Sequence, residues 1–511
     1  MTADRRRDST GRDASTGRRG GRLRAALAAW RSGKYKLWND YAVLAGGQAG
    51  IKLLGLLAFA WLARVLDPVS YGAVEYVVGL TAVFATVVDA GLGTVGIRRA
   101  AHDAARLPVL AFQIQLARLL LALLSVPAMI LIARSAAAVA GEGLLVALFA
   151  ASLLTQPWRP EWLLQACERM TETAIARVLR TAVFLVGVLL LVRRPGDLAL
   201  VGAAELAALV VMALYCLWVQ QVRITPVRLT GPVQGLAPLA REGAVVGAGN
   251  LVWSLDQYAP LFLLGSFVGG AETAWYAAAA RIVGALMVFG SIYHFSLYPT
   301  LTRAHARDGA ELARLLAASL RITAWVGSLA ALALATLATP ILAVAFGPKL
   351  TAGAPALQLM AWILPVTLCS GQARWALTAA GAQSRVLAAQ LAGLAATLAV
   401  VAVAGPRWGL LGYAAAALAG PIVVWIVAHR SATRMGSSPP SARLALKPVG
   451  LAIALFVLAR AIDTGVVGSI ALLAAYFAAA FVVDRRLLPD LAHLGAAKLG
   501  YVRSDKPEGP L

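Results

Sequence analysis

Long apolar runs punctuated by short polar loops recur along the whole chain. A helix needs about 20 predominantly apolar residues to cross a bilayer. Fourteen runs meet or approach that length: 41–63, 71–96, 107–133, 143–164, 174–192, 198–220, 244–267, 274–301, 315–338, 354–380, 386–404, 409–428, 449–462 and 466–483. Those longer than 22 residues are accommodated by tilt or bending, and the thirteenth is short for a span. The predicted fold class is all-α, a polytopic integral membrane protein of about 14 transmembrane helices. The longest internal loop, 221–243, carries Pro226, Pro232 and Pro238 and falls after the sixth run, where a linker between two six-helix lobes would lie. The expected organisation is a basic, disordered cytoplasmic arm (1–40), an N-lobe (41–220), a cytoplasmic linker (221–243), a C-lobe (244–429), two further spans (430–483) and a cytoplasmic tail (484–511).

Composition agrees and adds a puzzle. Of 511 residues, 60% are apolar and only 14% charged, against about 25% charged in soluble domains, yet the net charge is +22. Basic balance fits nucleic acid, an anionic membrane surface, or the cytoplasmic bias of Lys and Arg in membrane proteins. Sorting the 46 Lys and Arg by loop decides it: with the N-terminus inside, 33 fall on the cytoplasmic side, 6 outside, and 7 within or at the ends of spans. The charge therefore orients helices, and nucleic acid is not needed to explain it. Both termini are expected in the cytoplasm. Trp38, Trp61, Trp158, Trp218, Trp275, Trp408 and Trp425 lie near run ends, as an interfacial aromatic belt requires.

Catalytic signatures are missing. The Gly33-Lys34 pair is followed by Tyr35 rather than a phosphate-loop Ser or Thr, and no GxSxG or HExxH pattern occurs. Three scattered cysteines form no CxxC pair, so neither a zinc site nor a disulfide framework is expected. The chain is read as a non-enzyme.

Function is instead sought in ionisable groups at membrane depth, which are costly and turn toward a partner or a wet cavity. The substrate-cavity candidates are Lys52, Asp89, Arg118, Asp256, Arg281, Arg321 and Arg374, with Gln48, Asn250 and Gln257 as polar companions. Glu161, Glu205 and Arg460 are further members of the class. Most of the candidates are cationic, which suits an anionic substrate because guanidinium groups pair with phosphate in bidentate fashion. Asp256, Asp89 and His294 are the candidates for coupling to H⁺ or Na⁺; no other cofactor and no metal is expected.

Several stretches carry a resemblance. Leu62-Ala63-Arg64-Val65-Leu66-Asp67-Pro68-Val69-Ser70-Tyr71-Gly72 resembles the "ARxLGPxxYG" junction of spans 1 and 2 in bacterial polysaccharide flippases, and Asp89-Ala90-Gly91-Leu92-Gly93 resembles their "DLGLG". Glu161-Trp162-Leu163-Leu164-Gln165-Ala166, Tyr276 through Arg281, Pro299 through Arg303, Phe346 through Leu350 with Ala354 through Leu357, and Gly409 through Ala414 are similar to later motifs of that family, in the same order. Asp67 and Ala274 stand where the family usually has Gly. The chain resembles the Wzx-type O-antigen and exopolysaccharide flippases of the multidrug/oligosaccharidyl-lipid/polysaccharide exporter superfamily. The resemblance implies two six-helix lobes in a V with two extra C-terminal helices, alternating access, a cationic cavity, and an undecaprenyl-pyrophosphate-linked oligosaccharide as substrate. It places a polysaccharide polymerase and a chain-length regulator among the expected partners. An ion-coupled multidrug exporter of the same superfamily is the alternative, and a membrane polysaccharide polymerase a second one. Acidic and aromatic cavity residues would favour the first, and large catalytic loops the second; the chain is poor in both.

Overall fold

The computed structural model describes residues 50–228, 230–307, 309–435 and 440–490, together with Leu494. The arm 1–40 and Gln48 lie outside the described residues. The described chain is helical throughout, as the run pattern requires.

The first half comprises α1 (50–65), α2 (Pro68–Asp89), α3 (Leu92–His102), α4 (Leu107–Arg134), α5 (Gly143–Ser152), α6 (Glu161–Ala166), α7 (Met170–Leu191) and α8 (Leu198–Arg223). The second comprises α9 (Leu236–Phe267), α10 (Gly270–Arg307), α11 (Gly309–Thr336), α12 (Ala338–Phe346), α13 (Ala354–Met360), α14 (Ile363–Ala379), α15 (Gln383–Trp408) and α16 (Leu410–Arg434), followed by α17 (Arg443–Ala461) and α18 (Gly465–Val483). Among the described residues, eleven helical stretches are long and apolar enough to cross a bilayer. The other three expected spans fail that test for identifiable reasons. The first is described only from residue 50. The seventh, α9, is continuous over 32 residues, but Asn250, Asp256 and Gln257 lower its hydropathy.

The fourth is broken. After α5 the backbone tightens into a 3₁₀ segment, Leu153–Trp158, and α6 starts only at Glu161. Pro157 and Pro160 each remove a backbone donor and obstruct the preceding turn. At membrane depth irregular backbone is tolerated where it is buried in protein or lines a wet cavity.

The second interruption separates α2 from α3. Ala90 adopts φ 45° and Gly91 φ 72°, in the left-handed region. The reason is a close crossing by α9: a Cβ on Gly91 would stand 2.5 Å from the Gly247 nitrogen and 2.6 Å from the Gly243 oxygen. Holding Ala90 in that conformation costs about 1–2 kcal/mol.

Two seams join the halves. At the end carrying Arg64 and Lys349, the start of α2 meets the start of α10, where a Cβ on Gly72 would come within 2.9 Å of the Gly270 oxygen. Lys349 donates to the carbonyls of Arg64 (3.4 Å) and Leu66 (3.3 Å), and Arg64 to that of Val344 (2.7 Å). The largest buried apolar cluster, including Tyr71, Tyr76, Leu264 and Ala274, spans both halves here. At the opposite, basic end, Glu242 of α9 accepts from Arg98 (2.8 Å) and Arg99 (2.6 Å) of α3.

The last two helices dock on α11. Arg321 pairs with Asp484 and Asp490, both at 2.7 Å, and Trp325 donates to Asp484 at 3.2 Å.

Candidate functional site

A cavity of about 560 Å³ lies between the halves, walled by α1, α2, α5, α7 and α8 on one side and α9 and α10 on the other. Its charged lining is Lys52, Arg159, Arg180 and Arg281 against Glu75 and Glu205. Four cations and two carboxylates leave two formal positive charges.

The charges come in two kinds. Arg281 of α10 reaches across to Glu75 of α2 in a bidentate pair (Nε–Oε1 2.8 Å, Nη2–Oε2 2.6 Å), and Tyr71 donates to the same Oε1 at 2.7 Å. The guanidinium also sits 3.3 Å from the centroid of Phe59, a cation–π contact that strengthens when desolvated. Arg180 pairs with Glu205 between α7 and α8. Lys52, by contrast, has no ion-pair partner among the described residues and opens into the cavity. Arg159, in the break of the fourth span, donates to Gln156, yet its Nε and that of Arg180 are buried without a hydrogen-bond partner. Such donors carry a desolvation cost until an acceptor arrives.

The expected site residues divide into groups. Lys52, Gln257 and Arg281 line this cavity. Arg374 and His294 line a separate one deeper in the second half. Arg118 is paired with Asp89, where it ties α4 to the end of α2, and neither lines either of these two cavities. Asp256 accepts from Thr397 of α15 at 3.3 Å. Arg321 holds the last two helices, and Asn250 is exposed on α9.

The sequence profile of a family described as "Polysaccharide biosynthesis protein" matches residues 37–305, more than half of the chain. The chain belongs to that family. No curated protein matches it. Among solved structures it is similar to "Lipid II flippase MurJ, inward closed conformation" (TM-score 0.69, 11% identity, covering 87% of this chain and 99% of that one). It is also similar to an inward-facing multidrug resistance MATE family transporter of the MOP superfamily (TM-score 0.63, 20% identity, 76% and 94% covered). A MOP superfamily transporter from Pyrococcus furiosus follows (TM-score 0.55, 18% identity, 78% and 94% covered). At these identities the structures establish the fold. Family and fold together make this member of the polysaccharide biosynthesis family a multi-pass helical membrane protein with the fold of these transporters.

Glu75, Gln156, Arg159 and Arg180 were not among the sequence candidates. Arg159 counted only as one of seven span cations, although it sits between Pro157 and Pro160, and interrupted spans mark transporter binding sites. Arg180, near the start of the 174–192 run, is among the 33 cations counted as cytoplasmic; α7 begins at Met170, which carries Arg180 about 15 Å along the helix. Glu75 sits early in a largely apolar run, and its partner lies 206 residues later.

Proposed function

We propose that this protein moves an undecaprenyl-pyrophosphate-linked oligosaccharide repeat unit from the inner to the outer leaflet of the bacterial cytoplasmic membrane by alternating access, in the synthesis of O-antigen, exopolysaccharide or capsule. The observation that carries this reading is the cavity's excess of positive charge, with Lys52 unpaired and Arg159 still offering a buried donor. In the proposed mechanism, Lys52 and Arg159 hold the diphosphate, Gln156 and Gln257 meet sugar hydroxyls, and the polyprenyl chain stays among lipid tails. No covalent bond changes. The basic end, with Arg98 and Arg99, faces the cytoplasm, as do both termini. A coupling cation, H⁺ or Na⁺, would act through Asp256, whereas Asp89 is already engaged by Arg118.

Binding drives transport only as far as the substrate distinguishes the two states. Here an anion can compete with Glu75 and Glu205 for their arginines, which gives it a differential effect on lobe contact. The test is leaflet assignment of lipid-linked repeat units in vesicles containing the purified protein. Lys52→Gln and Arg159→Gln should each lower translocation about tenfold or more while the protein stays monodisperse; charged hydrogen bonds of about 1.5–3 kcal/mol set that scale. Unchanged translocation in both variants refutes the reading. Export of cationic drugs without glycan translocation would instead establish the multidrug alternative.

A further inference from the structure

The second cavity, about 390 Å³, lies between α10, α14 and the start of α15. Its one charged lining group is Arg374, and its polar lining includes Ser291, His294, Thr367 and Thr378. The Arg374 guanidinium makes no hydrogen bond and no ion pair with any described residue, and its Nε is buried. The carboxylate acting on it electrostatically is Asp256 of α9, but the two form no ion pair, and Asp256 is hydrogen-bonded to Thr397 at 3.3 Å. His294 offers no negative charge either: its Nδ1 faces the Gly290 carbonyl at 2.8 Å, and its Nε2 faces the Gln372 amide at 3.4 Å.

A guanidinium with this little compensation at membrane depth is expensive. Its five donors form a planar fork that matches a phosphoryl group or carboxylate. The surroundings also connect it to the first cavity. Tyr276, Ala280 and Gly284 face the central cavity, and Met287, Ser291 and His294 continue the same stripe of α10 into the second. From Arg281 to His294 is thirteen residues, about 20 Å along the helix. The two cationic centres are therefore successive stations along one helix face, the second nearer the basic end.

We propose that the Arg374 cavity is an anion site distinct from the central cavity, taking a phosphoryl group through the Arg374 guanidinium. The anion comes either from a lipid-borne phosphate on its way to the central cavity or from a free phosphate in solution. Only the lipid-borne source rests on the proposed flippase function; the site itself does not.

The experiment is calorimetric titration of the full-length protein, in nanodiscs of neutral lipid, with inorganic pyrophosphate. Binding dependent on Arg374 should weaken about tenfold or more in Arg374→Gln and partly persist in Arg374→Lys, while Lys52→Gln leaves that component in place. Because Arg374→Gln removes an uncompensated buried charge, its unfolding temperature should equal or exceed the parent's, so lost binding would not reflect lost folding. Identical titrations for the parent and Arg374→Gln overturn the site, leaving a guanidinium that is simply hydrated. Undecaprenyl phosphate displacing pyrophosphate from the Arg374-dependent component identifies the lipid-borne source; no displacement identifies the free anion. If vesicle translocation fails while Arg374-dependent binding persists, the flippase reading falls and this site stands.

Discussion

The Glu75–Arg281 pair ties the two halves together at the end where α2 meets α10, and removing it should let that end part. Glu75 is only 6% exposed and Arg281 24%. The carboxylate accepts two charge-assisted bonds from Arg281 and a third from Tyr71. Removing one partner of a buried pair typically costs about 3–5 kcal/mol, because the other charge is left uncompensated. Glu75→Gln keeps the shape and one acceptor, so the low end applies. About 3 kcal/mol corresponds to a shift of roughly 150-fold in the ratio of closed to open at this end. The assay is a distance distribution between spin labels at Val69→Cys and Val344→Cys, two exposed positions on opposite halves, with Cys167, Cys216 and Cys369 replaced. The parent should show one short distance. Glu75→Gln should populate a longer one, and adding Arg281→Gln should restore much of the short population, since the orphaned charge is gone. If Glu75→Gln leaves the distribution unchanged, the pair is not a latch and the reasoning from its burial fails.

Three further outcomes follow from the same structure. Pro157→Ala with Pro160→Ala should let the fourth span run as continuous helix, raising thermal stability while abolishing translocation; full translocation would show that the break is dispensable. Asp484→Asn leaves Arg321 with Asp490 as its ion-pair partner, so it should cost less than the roughly 3–5 kcal/mol of a fully broken buried pair, read as a lowered unfolding temperature that Asp490→Asn lowers further. At the basic end, the Arg99 and Arg98 guanidiniums hold the Glu242 carboxyl below the ordinary glutamate range. A depressed folded-state value means the clamp is fully present above about pH 4.3 and is lost as pH falls through the lower folded value. Spin labels across that end should separate only in acid or at high salt, and Glu242→Gln should separate them at neutral pH.

The fold was largely legible from the chain because the bilayer imposes a length on every span. What escaped was local backbone irregularity. Pro157 and Pro160 sit inside a run whose composition is that of an ordinary span, and the αL step at Ala90 depends on α9 crossing from the other half. The site was legible in part for the same reason. Lys52, Arg281 and Gln257 stood out because each interrupts an apolar run. A span cation can equally be a strut, however, and nothing local in the sequence distinguishes Arg118 or Arg321 from Arg281. Their partners, Asp89, Asp484 and Glu75, lie 29, 163 and 206 residues away.

The length of α10 sets what a small rotation does. Thirty-eight residues make a rod of about 57 Å, nearly twice the hydrocarbon thickness. The rod is gripped near one end, where Gly72 lets the backbone of α2 close on Gly270 and Ala274. Take that grip as a fulcrum. A tilt of about 10° then moves Arg281, seven residues from Ala274, by roughly 2 Å, and His294, twenty residues along, by roughly 5 Å. The far tip at Arg307 swings by about 9 Å. The first displacement is enough to part Arg281 from Glu75, and the last is wide enough to admit a sugar ring. While the glycine grip holds, a tilt therefore moves the basic end most; losing the Glu75–Arg281 latch altogether frees the gripped end itself.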